Sequence, residues 1–473
     1  MKKKFLEESV LFISILKWLF LATCVGLLVG LSTGFFLKVL EASTAYTGRF
    51  SYYFLLLPAA MFASSFIVKY FAPEAEGHGT EKVIEAVHKR SGKINPLVVP
   101  VKLVATVITI ALGGSAGKEG PCAQIGAGLS SIFSDVIRFD DKDRKKLVIC
   151  GISAGFATVF GTPIAGAIFG VEVLFIGSLL YDVLLPSFVA GIVGYQISSA
   201  LGVTYFYEPL HFVPIFSSQF FIKVCLSGLF FGVCSLLFIE MLKLLEHLSK
   251  KLKWWVPFKG LLGGAALVVL AFLFSTRYLG LGLDTIKSVL EGRSVFPGAF
   301  VLKMLFTSIT LSFGGSGGIV TPIFFIGATS GSVFSQIFGF DRAVFSAIGM
   351  VSLLAGAANA PISASIMAVE LFGPAVAPYA AVACIISYLM TGHRSVYPSQ
   401  VLATMKSSSL GVATGGEVKD IPDVDFHMRQ RSVTGGIMKG YDIAMKGLKR
   451  NNSQKDTDRK NSKDKKDLKN KKD

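Results

Sequence analysis

One nine-residue pattern occurs twice in this chain, and it limits the fold more than any other feature. Gly113-Gly114-Ser115-Ala116-Gly117-Lys118-Glu119-Gly120-Pro121 and Gly314-Gly315-Ser316-Gly317-Gly318-Ile319-Val320-Thr321-Pro322 both read Gly-Gly-Ser-small-Gly-x-x-x-Pro. They lie 201 residues apart, and each is followed by Ile-Gly-Ala, at 125–127 and 326–328. Two more pairs keep nearly the same spacing. Gly77-His78-Gly79 matches Gly280-Leu281-Gly282, offset by 203, and Pro163 with Glu172 matches Pro361 with Glu370, offset by 198. Ordered matches of this kind predict a chain of two like halves.

The repeats sit in apolar surroundings. Of 473 residues, 52% are hydrophobic and 16% are charged, whereas soluble domains carry about 25% charged residues. Apolar segments fall at roughly 10–41, 53–72, 96–112, 122–137, 147–176, 183–203, 214–245, 257–277, 297–313, 322–339, 342–357 and 361–391. We therefore expect an all-α polytopic membrane protein, with a segment 1–9, a first transmembrane repeat 10–205, a second 206–405 and a basic tail 406–473. The apolar run after Lys2-Lys3-Lys4 is too long for a signal peptide and reads as a retained helix. Glycine-rich breaks at membrane depth are tolerated where backbone is buried or lines a wet cavity, which points to a transport pathway.

The net charge of +16 would suggest nucleic acid in a soluble protein. Here the basic residues gather at the ends of the apolar runs, so no nucleic-acid partner is expected. They place both termini in the cytoplasm of a multi-pass cell-membrane protein. Residues 449–473 hold eleven Lys and Arg and five Asp, the composition of a disordered, solvated tail. Attraction of that tail to anionic lipid or to nucleic acid is the alternative reading.

The repeated loops carry the chemistry. Glycine permits tight backbone with bare amides, and a proline just beyond suits the first turn of a helix. Helix N-termini attract anions, so two such loops can surround a small anion with amides and no full cationic charge need be buried. Glu119 is the anomaly, because a carboxylate at membrane depth costs about 2.5–3.5 kcal/mol. It reads as a tethered competitor for the anion; the second repeat has Val320 at this place. The bland reading is a surface Glu paired with Lys118.

Other site classes are sparse. A phosphate-binding loop needs Gly at 112 and Ser or Thr at 119, where the chain has Leu112 and Glu119. Gly-x-Ser-x-Gly around Ser115, Ser153 and Ser316 lacks triad partners. The histidines (His78, His88, His211, His247, His393, His427) and the six cysteines show no zinc spacing, and neither a metal nor a cofactor is expected. A membrane-embedded enzyme using Glu119 as acid and base needs a second catalytic group beside it, and none is evident.

Taken together, these residues resemble the CLC family of chloride channels and chloride/proton exchangers, from about 15 to 405. Gly117-Lys118-Glu119-Gly120-Pro121 is similar to the family's Gly-[Lys/Arg]-Glu-Gly-Pro, whose Glu is the external gate. Gly318-Ile319-Val320-Thr321-Pro322 resembles Gly-x-Phe-x-Pro, with Val320 in place of Phe. Gly77-His78-Gly79-Thr80-Glu81 resembles Gly-Ser-Gly-Ile-Pro, with His78 in place of the anion-binding Ser, and Tyr397 resembles the inner-gate tyrosine. The resemblance implies two inverted helical repeats whose broken helices meet at a midplane anion site, one pore per subunit of a homodimer in a lipid bilayer. It implies gating by Glu119 and Tyr397, and anion binding by His78, Gly79, Gly117, Lys118, Gly120, Gly318, Ile319, Val320 and Tyr397. His78 leaves the choice among chloride, nitrate and other halides open.

Family exchangers carry an internal proton-transfer Glu shortly after Asn-Ala-Pro-x-Ala-Gly. Here that segment is Gly161-Thr162-Pro163-Ile164-Ala165-Gly166, Glu172 falls one position early, and Val173 falls on the place itself. This favours a passive chloride channel. A chloride/proton antiporter using Glu119 with Glu172 or water is the alternative. Only 76 residues follow Tyr397, too few for the tandem nucleotide-binding modules that many relatives append.

Overall fold

The computed structural model describes residues 2–209, 218–407, 410–421 and 425–426. The tail predicted from 449 onward, His211 and His427 lie outside the described residues. Two compact units divide the chain. The smaller, made of 405–413 and the residues after 420, contains an antiparallel pair of two-residue strands, β3 (Leu410–Gly411) and β4 (Asp425–Phe426). The larger takes in everything up to 404 together with 414–420.

The larger unit is a helical assembly of two sets of eight. The first set is α1 (Lys2–Thr47), α2 (Leu57–Phe71), α3 (Thr80–Lys89), α4 (Val98–Ala111), α5 (Glu119–Ile137), α6 (Asp141–Phe160), α7 (Pro163–Glu172) and α8 (Leu184–Ala200). The second set repeats the order: α9 (Ser218–Lys251), α10 (Val256–Leu273), α11 (Leu283–Leu290), α12 (Ala299–Ser312), α13 (Val320–Phe338), α14 (Arg342–Ala358), α15 (Pro361–Phe372) and α16 (Ala377–Met390).

Length and composition sort these helices. Six stretches, including the whole of α9, α10 and α13, are long and apolar enough to cross a membrane. The outer ones expose apolar side chains, such as Leu11, Phe12, Phe20 and Phe35 on α1 and Phe272 and Leu273 on α10. That is the distribution of a lipid-facing surface. By contrast α7, with 10 residues, and α15, with 12, are too short to span, since a crossing takes about 20 residues. Proline opens both, at the position where its missing N–H costs nothing. In this chain their first turns are exposed at Ile164 and Ile362, and their last residues, Glu172 and Phe372, are buried.

The centre is packed through small residues rather than large ones. A Cβ on Gly126 of α5 would stand 2.4 Å from the carbonyl oxygen of Gly151 on α6, and one on Gly327 of α13 would stand 2.4 Å from that of Gly349 on α14. Helices in lipid gain little from burying apolar surface against each other, so close backbone approach supplies the contact. A parallel pair of short strands, β1 (Phe175–Ile176) with β2 (Val401–Leu402), ties the chain after α7 to the segment that carries Tyr397.

Candidate functional site

The two glycine loops meet each other across the centre. Gly117 N–H donates to the Gly318 carbonyl at 2.7 Å, and Gly318 N–H donates to the Gly117 carbonyl at 2.5 Å. This antiparallel bridge joins equivalent residues of the two halves. The exchange continues outward. Ser115 N–H donates to Thr310 Oγ1 at 3.1 Å, and Ser316 N–H donates to Thr109 Oγ1 at 3.1 Å. The Ser115 hydroxyl lies 3.0 Å from that of Thr307, and the Ser316 hydroxyl 3.1 Å from that of Thr106. Each bond has a counterpart 201 residues away, so the loops satisfy one another in pairs. Buried amides need such partners.

Glu119 breaks the symmetry. It opens α5 and is buried. One carboxylate oxygen accepts from Thr321 N–H at 3.1 Å, and the other accepts from the Thr321 hydroxyl. Thr321 is in the first turn of α13. The carboxylate of one half therefore occupies the N-terminus of a helix in the other, where an anion is favoured. Glycine makes room for it: a Cβ on Gly117 would lie 2.2 Å from Glu119 Oε2, and one on Gly318 would lie 2.9 Å away. Among the described residues Lys118 forms no ion pair with Glu119, so the surface-pair reading does not hold. Thr321 itself escaped the sequence reading; its signal was a hydroxyl residue in the first turn after a glycine loop.

His78 and Tyr397 come together on the other side of α5's first turn. Their rings lie 5.4 Å apart. A Cβ on Gly120 would stand 1.8 Å from the His78 carbonyl oxygen, so the 77–79 loop rests directly on the residue after Glu119. His78 Nδ1 and the Tyr397 hydroxyl are buried, and among the described residues neither makes an ordinary hydrogen bond, although the hydroxyl lies beside Thr80. Orphaned buried polar atoms call for a ligand or a functional reason. Both groups can donate to an anion, His78 in its Nδ1–H tautomer. The sequence-derived residues His78, Gly79, Gly117, Glu119, Gly120, Gly318, Val320 and Tyr397 thus converge, with Lys118 and Ile319 at the two N-caps.

The loops need no full cationic charge to hold an anion, yet two lysine side chains are buried beside them. Lys102 on α4 and Lys303 on α12 are both fully buried. Lys102 Nζ donates to the carbonyls of Ala75 at 3.0 Å and Gly77 at 2.6 Å. Lys303 Nζ donates to Tyr278 at 3.1 Å and Gly280 at 2.8 Å. A buried ammonium is tolerated when carbonyls accept its hydrogen bonds. Here it fastens the start of each Gly-x-Gly loop, and at Lys102 it adds positive charge behind His78. The signal was present in the sequence, since the two lysines are also 201 residues apart.

Glu172 does not join the cluster. Its oxygens accept from Ile362 N–H at 3.0 Å and Ser363 N–H at 2.8 Å, at the start of α15. Glu370 returns the same contact to α7, accepting from Ile164 N–H at 3.0 Å and Ala165 N–H at 2.8 Å. Each half caps a helix of the other. Val173 is fully buried, and its carbonyl accepts from Gln400 Nε2 at 2.8 Å.

Comparison with known proteins agrees with this geometry. A family profile described as voltage gated chloride channel matches residues 59–392. A chloride/fluoride channel protein of Pseudomonas syringae pv. tomato is 37% identical over 394 residues, covering 82% of this chain and 86% of its own. The crystal structure of a CLC-type fluoride/proton antiporter aligns with a TM-score of 0.78 at 28% identity, over 82% of this chain and 98% of that one. A slow cyanobacterial Cl-/H+ antiporter shares the fold at a TM-score of 0.70 and 22% identity, over 79% and 94%. The chain belongs to the CLC family of voltage-gated chloride channels and anion transporters, and it has that family's all-helical membrane fold of two inverted repeats.

Proposed function

We propose that this protein exchanges a small halide, fluoride as well as chloride, against protons along one pathway gated by Glu119. The observation that carries the reading is the Glu119 carboxylate seated on the first turn of α13. An ionised carboxylate there excludes an anion, and a protonated one gives up its claim on the amide and can leave. Proton binding and anion entry then alternate at one place, which is what exchange requires. Fluoride is included because two relatives are named for it. The donors of the site, an imidazole N–H, a phenol and an aliphatic hydroxyl, are compact and strongly polar, which suits a small, hard anion.

Passive chloride conduction is the second reading, favoured by Val173, whose buried apolar side chain cannot relay a proton. In either case the protein works as a homodimer in the cell membrane with both termini in the cytoplasm. No catalytic chemistry is assigned to it.

Purified protein in liposomes tests these readings. With exchange, an imposed fluoride or chloride gradient drives protons uphill. With passive conduction, the anion moves and protons do not follow. Glu119→Gln is expected to leave an anion path while removing both proton movement and the pH dependence of efflux. Efflux from the variant with the wild-type pH dependence would sink the gating role.

A further inference from the structure

Exchange leaves a question at the Tyr397 end of the pathway, where Val173 and Glu172 stand in the family's proton region. Val173 has no polar group, and Glu172 spends both oxygens on the amides of α15. Glu81 is differently placed. It lies in the first turn of α3, three residues after His78. Both hydrogen bonds to its carboxylate fall on one oxygen: Ser399 N–H at 2.9 Å and the Ser399 hydroxyl at 2.6 Å both reach Oε1. Oε2 is buried and, among the described residues, has no hydrogen-bond partner. Leaving one oxygen of a carboxylate buried and bare is unfavourable for the ion, and a proton on that oxygen relieves the cost.

The neighbourhood links this carboxyl group, through Ser399 on Oε1, to the Tyr397 segment and to the Glu417–Lys419 turn. Ser399 is two residues from Tyr397, whose hydroxyl is within electrostatic reach of both Glu81 and Glu119. The same Ser399 hydroxyl is 3.4 Å from Lys419 Nζ. Lys419 pairs with Glu417 at 2.6 Å, and Glu417 also pairs with Lys89 at 3.3 Å. The Lys419 side chain is about a third exposed (35%), whereas that of Glu417 is mostly covered (12%). Burial works to raise the Glu417 carboxyl, yet the ammonium groups of Lys419 and Lys89 hold it below its ordinary range. The charged and titratable groups around Glu81 are therefore Lys82 on its own helix, Lys419 from the 418–420 turn, Tyr397, and His78 with Lys102 behind it.

We propose that Glu81 is the proton-loading residue at the Tyr397 end, taking over the work for which Val173 is unsuited. The proposal rests on the exchange reading. A proton from water on the Lys419 side forms an O–H bond on Oε2 of Glu81. That bond breaks as one forms on the Glu119 carboxylate, by way of the polar groups at Tyr397 and His78. Neutral Glu119 leaves the α13 terminus, and the anion enters in the opposite sense to the proton. Ser399 positions Glu81 by occupying the other oxygen, and Lys419 limits how readily it loads.

The test uses the full-length protein in liposomes, with fluoride efflux and proton movement recorded together. In Glu81→Gln, which keeps an acceptor for Ser399, we expect proton movement to fall about tenfold or more while fluoride efflux continues. Glu81→Asp restores protons carried per anion. Ser399→Ala keeps coupling but shifts its pH dependence. A Glu81→Gln protein that carries the wild-type number of protons per anion overturns the proposal. So does loss of both fluxes in that variant, which would make Glu81 a prop for the Tyr397 segment. Wild-type protein that moves no protons overturns the exchange reading itself and the relay with it.

Discussion

The two halves keep some residues in register and abandon others, and the division follows function. Lys102 and Lys303, Thr109 and Thr310, Ser115 and Ser316, and Glu172 and Glu370 occupy equivalent positions and make equivalent bonds. These residues join backbone to backbone. Where the loops face the pathway, the pairs diverge: Glu119 against Val320, His78 against Leu281, Gly120 against Thr321. The first half supplies the carboxylate and the imidazole; the second supplies the helix end that receives the carboxylate. A symmetric scaffold thus carries an asymmetric site, and each half does a task the other lacks.

The sharpest way to break this comparison is at the lysines. Lys102→Met and Lys303→Met each strand two buried carbonyls, at roughly 1–3 kcal/mol per group. Thermal unfolding in detergent should show similar losses for both. Halide efflux should fall further for Lys102→Met, because only its loop carries His78. Equal losses of efflux would mean that the second Gly-x-Gly loop serves the pathway as well.

Next in size are the exchanged caps. Glu172→Gln and Glu370→Gln replace a carboxyl whose two oxygens each accept from an amide at a helix N-terminus with a side chain that has one acceptor oxygen, for about 0.5–2 kcal/mol. The two melting shifts should match within experimental spread, and both variants should still carry protons with the anion. A loss of coupling in Glu172→Gln alone would restore that residue to the proton path and remove the need for Glu81.

The smallest effects belong to the threonines. Thr109→Val and Thr310→Val each remove one hydroxyl acceptor from a buried amide and should cost about 1 kcal/mol each. A double variant costing much less than the sum would show that the pair acts as one unit.

Much of this was legible in the sequence. The repeated Gly-Gly-Ser pattern located both loops, the prolines located the starts of α7 and α15, and Glu119 stood out as a charge where none was expected. What the sequence could not show was direction of contact. Glu172 and Glu370 were visible as a pair, but nothing in their spacing says that each reaches across to the other half. The lysines were hidden for a different reason. A lone Lys in an apolar run reads as a span boundary, and only the carbonyls it meets in three dimensions turn it into an interior fastener. Glu81 was hidden because it looks like an ordinary first-turn acidic residue until its bare oxygen is seen.

The exchanged caps also bear on the order in which the protein is made. The first half leaves the ribosome with the amides of Ile164 and Ala165 lacking the carboxylate that will cover them, and with Glu172 lacking its amides. Lipid offers no substitute partner. The contacts of the early half are therefore incomplete until α15 is made, nearly two hundred residues later. Severing the chain between the halves would not give two folded pieces; it would give two that are each incomplete in the place the other is made to fill.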